Sequence, residues 1–138
     1  MADEWIELIR LEGEGNSLVV RVAGDPDDEL LTAQLVVTSN FVSGRLETKL
    51  FPEDLREWQE ALDELDAGYD ISWREEGGIP AVLVAHDPDN ERVHVTVRDD
   101  ESTLTSVTIS VPLSDSWFDE AYERLDRTWK AFPMAEKG

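Results

Sequence analysis

The sequence predicts an α+β fold: two tandem ββββα units, antiparallel sheet packed with two helices in two layers about a pseudo-twofold axis. Three observations lead there. First, shifting the chain by 62 residues lays its first half on its second: Ile9 falls on Ile71, Gly15 on Gly77, Val20 on Val82, Val22 on Val84 and Ala23 on Ala85. Asp25-Pro26-Asp27 falls on Asp87-Pro88-Asp89 and Glu29 on Glu91, and after a one-residue slip Leu46, Thr48 and Leu50 meet Val107, Ile109 and Val111. Second, most of each half alternates apolar with polar at period two, the mark of strands with one buried and one wet face. Third, each half ends in a stretch with apolar residues at helical spacing. The expected organisation is one domain over residues 1–138 with repeats at 5–67 and 69–131.

The elements follow in order. Ile6 to Leu11 and Leu18 to Ala23 flank a Glu-Gly-Glu-Gly-Asn turn suited to a hairpin. Leu31 to Thr38 alternates Leu31, Ala33, Leu35 and Val37 with Thr32, Gln34, Val36 and Thr38, and Val42 to Leu50 sets Val42, Leu46 and Leu50 against Ser43, Arg45, Glu47 and Lys49. The second half repeats this in Tyr69 to Arg74, Ala81 to Ala85, Arg92 to Arg98 and Leu104 to Val111. For the first helix, Pro52 suits the first helical position, Glu53 and Asp54 complement the positive helix end, and Gly68 supplies an exit. Its buried stripe is Leu55, Trp58, Leu62 and Leu65. The second helix is expected to open on a capping box of Ser116 and Asp119, bury Phe118, Ala121, Leu125, Trp129 and Phe132, and stop before Pro133.

Composition excludes several functional classes. No cysteine is present, so disulfides, thiolate metal sites and cysteine nucleophiles are ruled out. The start has neither a basic region nor a long apolar run, and no later segment approaches a membrane span, so a cytoplasmic location is expected. Acids outnumber bases 32 to 12, for a net charge of −20. Phosphate polymers and anionic membranes would be repelled, so nucleic acid and membrane are not expected partners and a basic protein is.

The charge is uneven. Glu53 to Asp66 holds seven acids and one base, Arg56, whereas Asp115 to Lys130 holds five acids and three bases. On the second helix Glu120 and Arg124, Glu123 and Arg127, and Asp126 and Lys130 are favourable acid-to-base pairs at i, i+4, while on the first Glu53 and Glu57, and Glu60 and Glu64, are like-charge pairs at the same spacing. The second helix neutralises itself. The first offers a candidate partner-binding surface: Glu53, Glu57, Glu60, Asp63 and Glu64, flanked by Asp25, Asp27 and Asp28 in the first Asp-Pro-Asp loop. A merely solvated acidic face, or adaptation to salt, is the plainer explanation of the same residues.

Catalytic machinery is not apparent. The Asp-Pro-Asp loops are explained by turn chemistry. As calcium loops they satisfy only the first positions, with Leu30 where such a loop needs glycine, so no metal or other cofactor is expected. His94 falls on the wet face of its strand and His86 at a strand end beside Asp87; the three would form a metal or acid/base site only if adjacent strands brought them together. No Gly-x-Ser-x-Gly, phosphate-binding glycine loop or His-Glu-x-x-His motif occurs. Trp58, Trp73 and Trp129 fall on apolar faces; Trp5 and Trp117 are less determined.

The segments Ile9-Arg10-Leu11, Gly15-Asn16-Ser17-Leu18, Val42-Ser43-Gly44-Arg45-Leu46, Leu50-Phe51-Pro52-Glu53-Asp54-Leu55 with Trp58, and Thr105-Ser106-Val107 carry a resemblance over most of the chain. They resemble an uncharacterised actinobacterial family of small acidic proteins, a domain of unknown function that implies no activity. A strand entering an acidic Phe-x-x-x-Leu-x-x-Trp helix is also similar, in style alone, to immunity proteins of bacterial contact-dependent toxin systems. The expectation is a non-enzymatic acidic binding protein for a basic partner, in its specific form an immunity protein neutralising a toxin. The alternative is a small-ligand module with an apolar pocket between sheet and helices.

Overall fold

In the computed structural model, which describes residues 5–24, 30–74, 80–88, 91–99 and 105–132, each half of the chain forms its own antiparallel sheet followed by a helix. The first sheet has the order β1 (Ile6–Gly13), β2 (Asn16–Ala23), β3 (Leu31–Thr38), β4 (Ser43–Leu50) and leads into α1 (Pro52–Asp66). The second has the order β5 (Ile71–Trp73), β6 (Ala81–His86), β7 (Arg92–Arg98), β8 (Ser106–Pro112) and leads into α2 (Asp115–Ala131). The ββββα duplication is therefore present, and its strands are divided between two sheets.

Register shows how far the repeat extends. Val20 pairs with Leu35 and Leu35 with Leu46; at the equivalent positions Val82 pairs with Val97 and Val97 with Val107. The first pair of strands differs. Ile9 faces Val20, but Ile71 faces Val84, a slip of two residues that keeps every side chain on its own face. The β1–β2 turn is two residues, Glu14 and Gly15, both at positive φ, which matches the twist of the strands it joins. A β-bulge between Glu7 and Ile9 lets two successive residues, Leu8 and Ile9, both be buried.

Pro52 opens α1 as expected, and Asp54 closes its first turn by accepting the Phe51 N–H at 2.8 Å. At the other end Gly68 takes φ +100, the Gly68 N–H donates to Leu65 and the Tyr69 N–H to Glu64, a glycine-terminated exit. The start of α2 corrects the expected capping box. The N-cap is Ser114, not Ser116, and its side chain makes no capping bond. Beginning two residues earlier draws Trp117 into the first turn, where its N–H donates to Ser114 and its indole to the Arg10 carbonyl at 2.7 Å. The apolar stripe of α1 is buried as predicted, with Ala61 added; on α2 Ala121, Leu125 and Phe132 are buried, Phe118 and Trp129 half-buried. Thr128, a polar residue at a core position, is fully buried because its hydroxyl bonds back to the Arg124 carbonyl.

The halves are interlocked. α1 packs on β5 of the second sheet and α2 on β1 of the first, while the helices contact one another. One hydrophobic cluster runs through both halves, with Leu11, Leu35, Trp58, Trp73 and Val95 among its members. The sheets meet where the β1–β2 turn reaches β8: the Asn16 amide donates to the Ser110 carbonyl at 2.9 Å, and Arg92 donates to Glu14 at 2.8 Å. Gly13 lies at this junction with φ +154, and a Cβ there would stand 2.6 Å from two ring carbons of Pro112. Gly13→Ala is therefore expected to destabilise the protein by about 1–3 kcal/mol, since a proline ring cannot swing aside. Equilibrium urea unfolding measures this, and a loss below the error of the method would contradict the close approach.

Candidate partner-binding face

On a helix with 100° between successive residues, Glu53, Glu57, Glu60 and Glu64 stand at i, i+4, i+7 and i+11 and fall within an arc of about 60°. All four are exposed, on the side away from Leu55, Trp58, Leu62 and Leu65. They form a straight stripe of carboxylates about 16 Å long. Among the described residues no hydrogen bond or ion pair engages these four carboxylates. Arg56, the one base of the helix, has an interaction of its own.

The other acids of α1 are not equivalent. Asp63 lies off the stripe and accepts the Tyr122 hydroxyl of α2 at 2.7 Å. Burial first, and then the carboxylate of Asp63, hold the Tyr122 phenol well above its ordinary value of 10.0. A raised folded-state value means that this group's contribution is complete below pH 10 and is lost only as pH climbs through the raised value. Asp63 is thus a contact between the helices rather than a free element of the face. Asp54 is also committed, to the Phe51 N–H and, at 3.7 Å, to the buried guanidinium of Arg74. Of the sequence-predicted site residues, Glu53, Glu57, Glu60 and Glu64 come together, and Asp63 is diverted. Asp25, Asp27 and Asp28 lie outside the described residues.

The contrast with α2 has a geometric counterpart. Glu120 pairs with Arg124 at 3.7 Å and Asp126 with Lys130 at 3.0 Å. The third expected pair, Glu123 with Arg127, is not among the ion pairs formed by the described residues.

The histidine question is resolved by strand register. Ala85 faces His94 across β6 and β7, and His86 faces buried Val93. His94 therefore shares the wet face with Asp87, which its Nε2 approaches to 3.4 Å, and His86 turns to the opposite face, where its Nε2 is buried. The three do not converge, and among the described residues no group of three His, Asp or Glu side chains could hold a metal ion. The tryptophans also find their places. Trp58 and Trp73 are fully buried with ring centroids 5.6 Å apart, and Trp5 lies beneath the Arg21 guanidinium at 5.1 Å. Trp117 borders a polar recess of about 410 Å³ shared with Arg10, Glu120 and Arg124. An apolar cleft of about 280 Å³ does occur, but its walls are Leu35, Val37 and Leu46 of one sheet and Val97 and Val107 of the other, with no helix contributing. No helix among the described residues is long and apolar enough to cross a membrane.

None of the curated proteins matches the chain in sequence. Residues 6–133, which take in both ββββα halves, both helices and the carboxylate stripe, match the profile of a family of unknown function, and the chain belongs to that family, DUF5959.

Proposed function

We propose that the protein is a non-enzymatic binding protein that uses the Glu53–Glu57–Glu60–Glu64 stripe of α1 to engage a basic protein partner. The observation that carries this reading is the stripe: four exposed carboxylates in line, none of them in a hydrogen bond or ion pair among the described residues. Each like-charge pair at i, i+4 costs a few tenths of a kcal/mol, on the order of what one favourable pair returns. Adaptation to salt would spread acidity over the surface alike, yet the equivalent helix of the other half holds two ion pairs of its own, Glu120 with Arg124 and Asp126 with Lys130. A stripe of one sign steers an oppositely charged partner, raising association rates towards roughly 10⁸–10⁹ M⁻¹s⁻¹ at low salt. In its specific form the partner is a basic toxin and the protein its immunity factor; mimicry of a nucleic-acid backbone towards a nuclease is a variant of the same chemistry.

Immobilised protein is expected to retain a basic protein from its native host in a salt-sensitive manner. The variant Glu57→Lys/Glu60→Lys/Glu64→Lys is expected to lose that retention by roughly tenfold or more, tenfold being the lower end of steering effects. Capture that survives both the reversal and molar salt would remove the face assignment. A second reading rests on the apolar cleft between the sheets, a site for a small apolar ligand. Reversal of the stripe leaves that cleft untouched, so the two readings separate in the same variant.

A further inference from the structure

We infer that the open edge of β4 is a self-association surface, on which a second copy of the chain pairs antiparallel about Leu46 to join two four-stranded sheets into one of eight. Sheet edges expose rows of unpaired N–H and C=O groups, and a folded protein covers them or uses them. Here the edges are treated differently. The edge of β1 lies against α2, with Trp117 donating to the Arg10 carbonyl. β5 lies against α1. On β8 the outward groups are met, among the described residues, only at one end, where the Ser110 carbonyl accepts the Asn16 amide and Pro112 has no N–H to offer, and the exposed Ser106 and Thr108 carry no charge that would set a partner's register.

On β4 the direction of the backbone can be read from its ends. The Lys49 carbonyl accepts from Arg74, which is not on β3, and the Val42 carbonyl turns inward to the Ser39 N–H. Register along β4 is unbroken, so the odd-numbered residues Ser43, Arg45 and Glu47 also present N–H and C=O outward. No hydrogen bond among the described residues engages these outward groups, and all three residues are exposed.

The side chains select the occupant and the register. Outward-bonding residues of one copy must face outward-bonding residues of the other. Centring the pair on Glu47 would oppose Arg45 to Lys49 and Glu47 to itself; centring it on Arg45 would oppose Arg45 to itself. Centring it on Leu46 opposes Arg45 to Glu47 twice, with Leu46 against Leu46, and like charges never meet. A ladder already crosses the wet face: Arg21 donates to Gln34, and Gln34 to Glu47 at 3.1 Å. It ends at the free edge in a carboxylate, and Arg45 of a second copy would be its next rung. The same register carries Phe41 of one copy, five residues from the centre, to the end where Phe51 of the other lies, also five residues away. These are two of the large exposed hydrophobic residues, at 95% and 50%. Charged residues on an edge ordinarily deter pairing, but opposite charges two positions apart are complementary to themselves in an antiparallel pair.

Light scattering coupled to size exclusion in 0.5 M NaCl, where the charge of each chain is screened, is expected to give twice the 15.6 kDa chain mass at high protein concentration. Arg45→Glu and Glu47→Arg are each expected to weaken association by about tenfold or more, and the double swap to restore it. In the wild-type chain, the Arg45 and Glu47 amides are expected to gain protection from hydrogen exchange as concentration rises. A chain mass of 15.6 kDa at every concentration, a dimer indifferent to both single reversals, or exchange at these amides independent of concentration would overturn the inference.

Discussion

Replacing Trp73 with alanine is expected to lower the free energy of unfolding by about 3–5 kcal/mol, the upper range for a large core side chain. Trp73 is fully buried, stacks obliquely on Trp58, and donates its indole N–H to the Asp54 carbonyl at 2.8 Å. It stands on β5 and binds the first turn of α1, so it holds the helix that carries the carboxylate stripe to the sheet of the other half. Phenylalanine separates the two contributions, since it keeps most of the apolar volume and loses the hydrogen bond. Trp58 provides the control. Its indole N–H is buried without a partner among the described residues, so Trp58→Phe removes an unsatisfied donor. Trp58→Phe is therefore expected to cost less than Trp73→Phe, although both rings are fully buried. Urea unfolding of the three variants, read at constant m-value, measures the ordering. Equal losses for the two phenylalanine variants would show that the Trp73 hydrogen bond adds nothing.

Much of this architecture is legible in the sequence because the forces that set it are local and periodic. Alternation of Leu31, Ala33, Leu35 and Val37 with Thr32, Gln34, Val36 and Thr38 is imposed by a sheet with one wet face, and β3 is found over the residues the pattern delimits. What the pattern does not carry is anything fixed by distant partners. Asp63 looks like every other acid of α1 until Tyr122, 59 residues away, is brought beside it. Ser116 and Asp119 have the right chemistry for a cap, but the helix starts where the indole of Trp117 can reach β1, and that contact spans 107 residues. Division of the strands into two sheets, and the slip of β5 against its repeat, are tertiary choices that any in-register alternation permits. The stripe lies between these cases. Spacing places Glu53, Glu57, Glu60 and Glu64 on one line, and only the packed structure shows that no hydrogen bond or ion pair among the described residues engages those carboxylates.

Asp54→Ala is expected to cost about 3 kcal/mol or more, because it breaks two interactions and strands a buried charge. The carboxylate accepts the Phe51 N–H at the helix start and faces Arg74, whose side chain is 7% exposed. Arg74 sits at φ +66, a left-handed backbone unusual for a side chain of this size, and burial holds its guanidinium below the ordinary value, opposed by Asp54 and then Glu57. Its bonds to Thr48 and to the Lys49 carbonyl, at 3.2 and 3.4 Å, do not neutralise it. Asp54→Asn keeps an acceptor for Phe51 and removes only the charge, so its loss is expected to be smaller. Adding Arg74→Met to Asp54→Ala is expected to recover part of the stability, since a buried ion pair can be exchanged for apolar volume more cheaply than it can be halved. Glu60→Ala, on the same helix but on the open stripe, is expected to change stability by less than about 0.5 kcal/mol. That gap would separate the acid α1 needs in order to fold from the acids it can present to a partner. An Asp54→Ala variant as stable as Glu60→Ala would mean that Arg74 does not need its counter-ion.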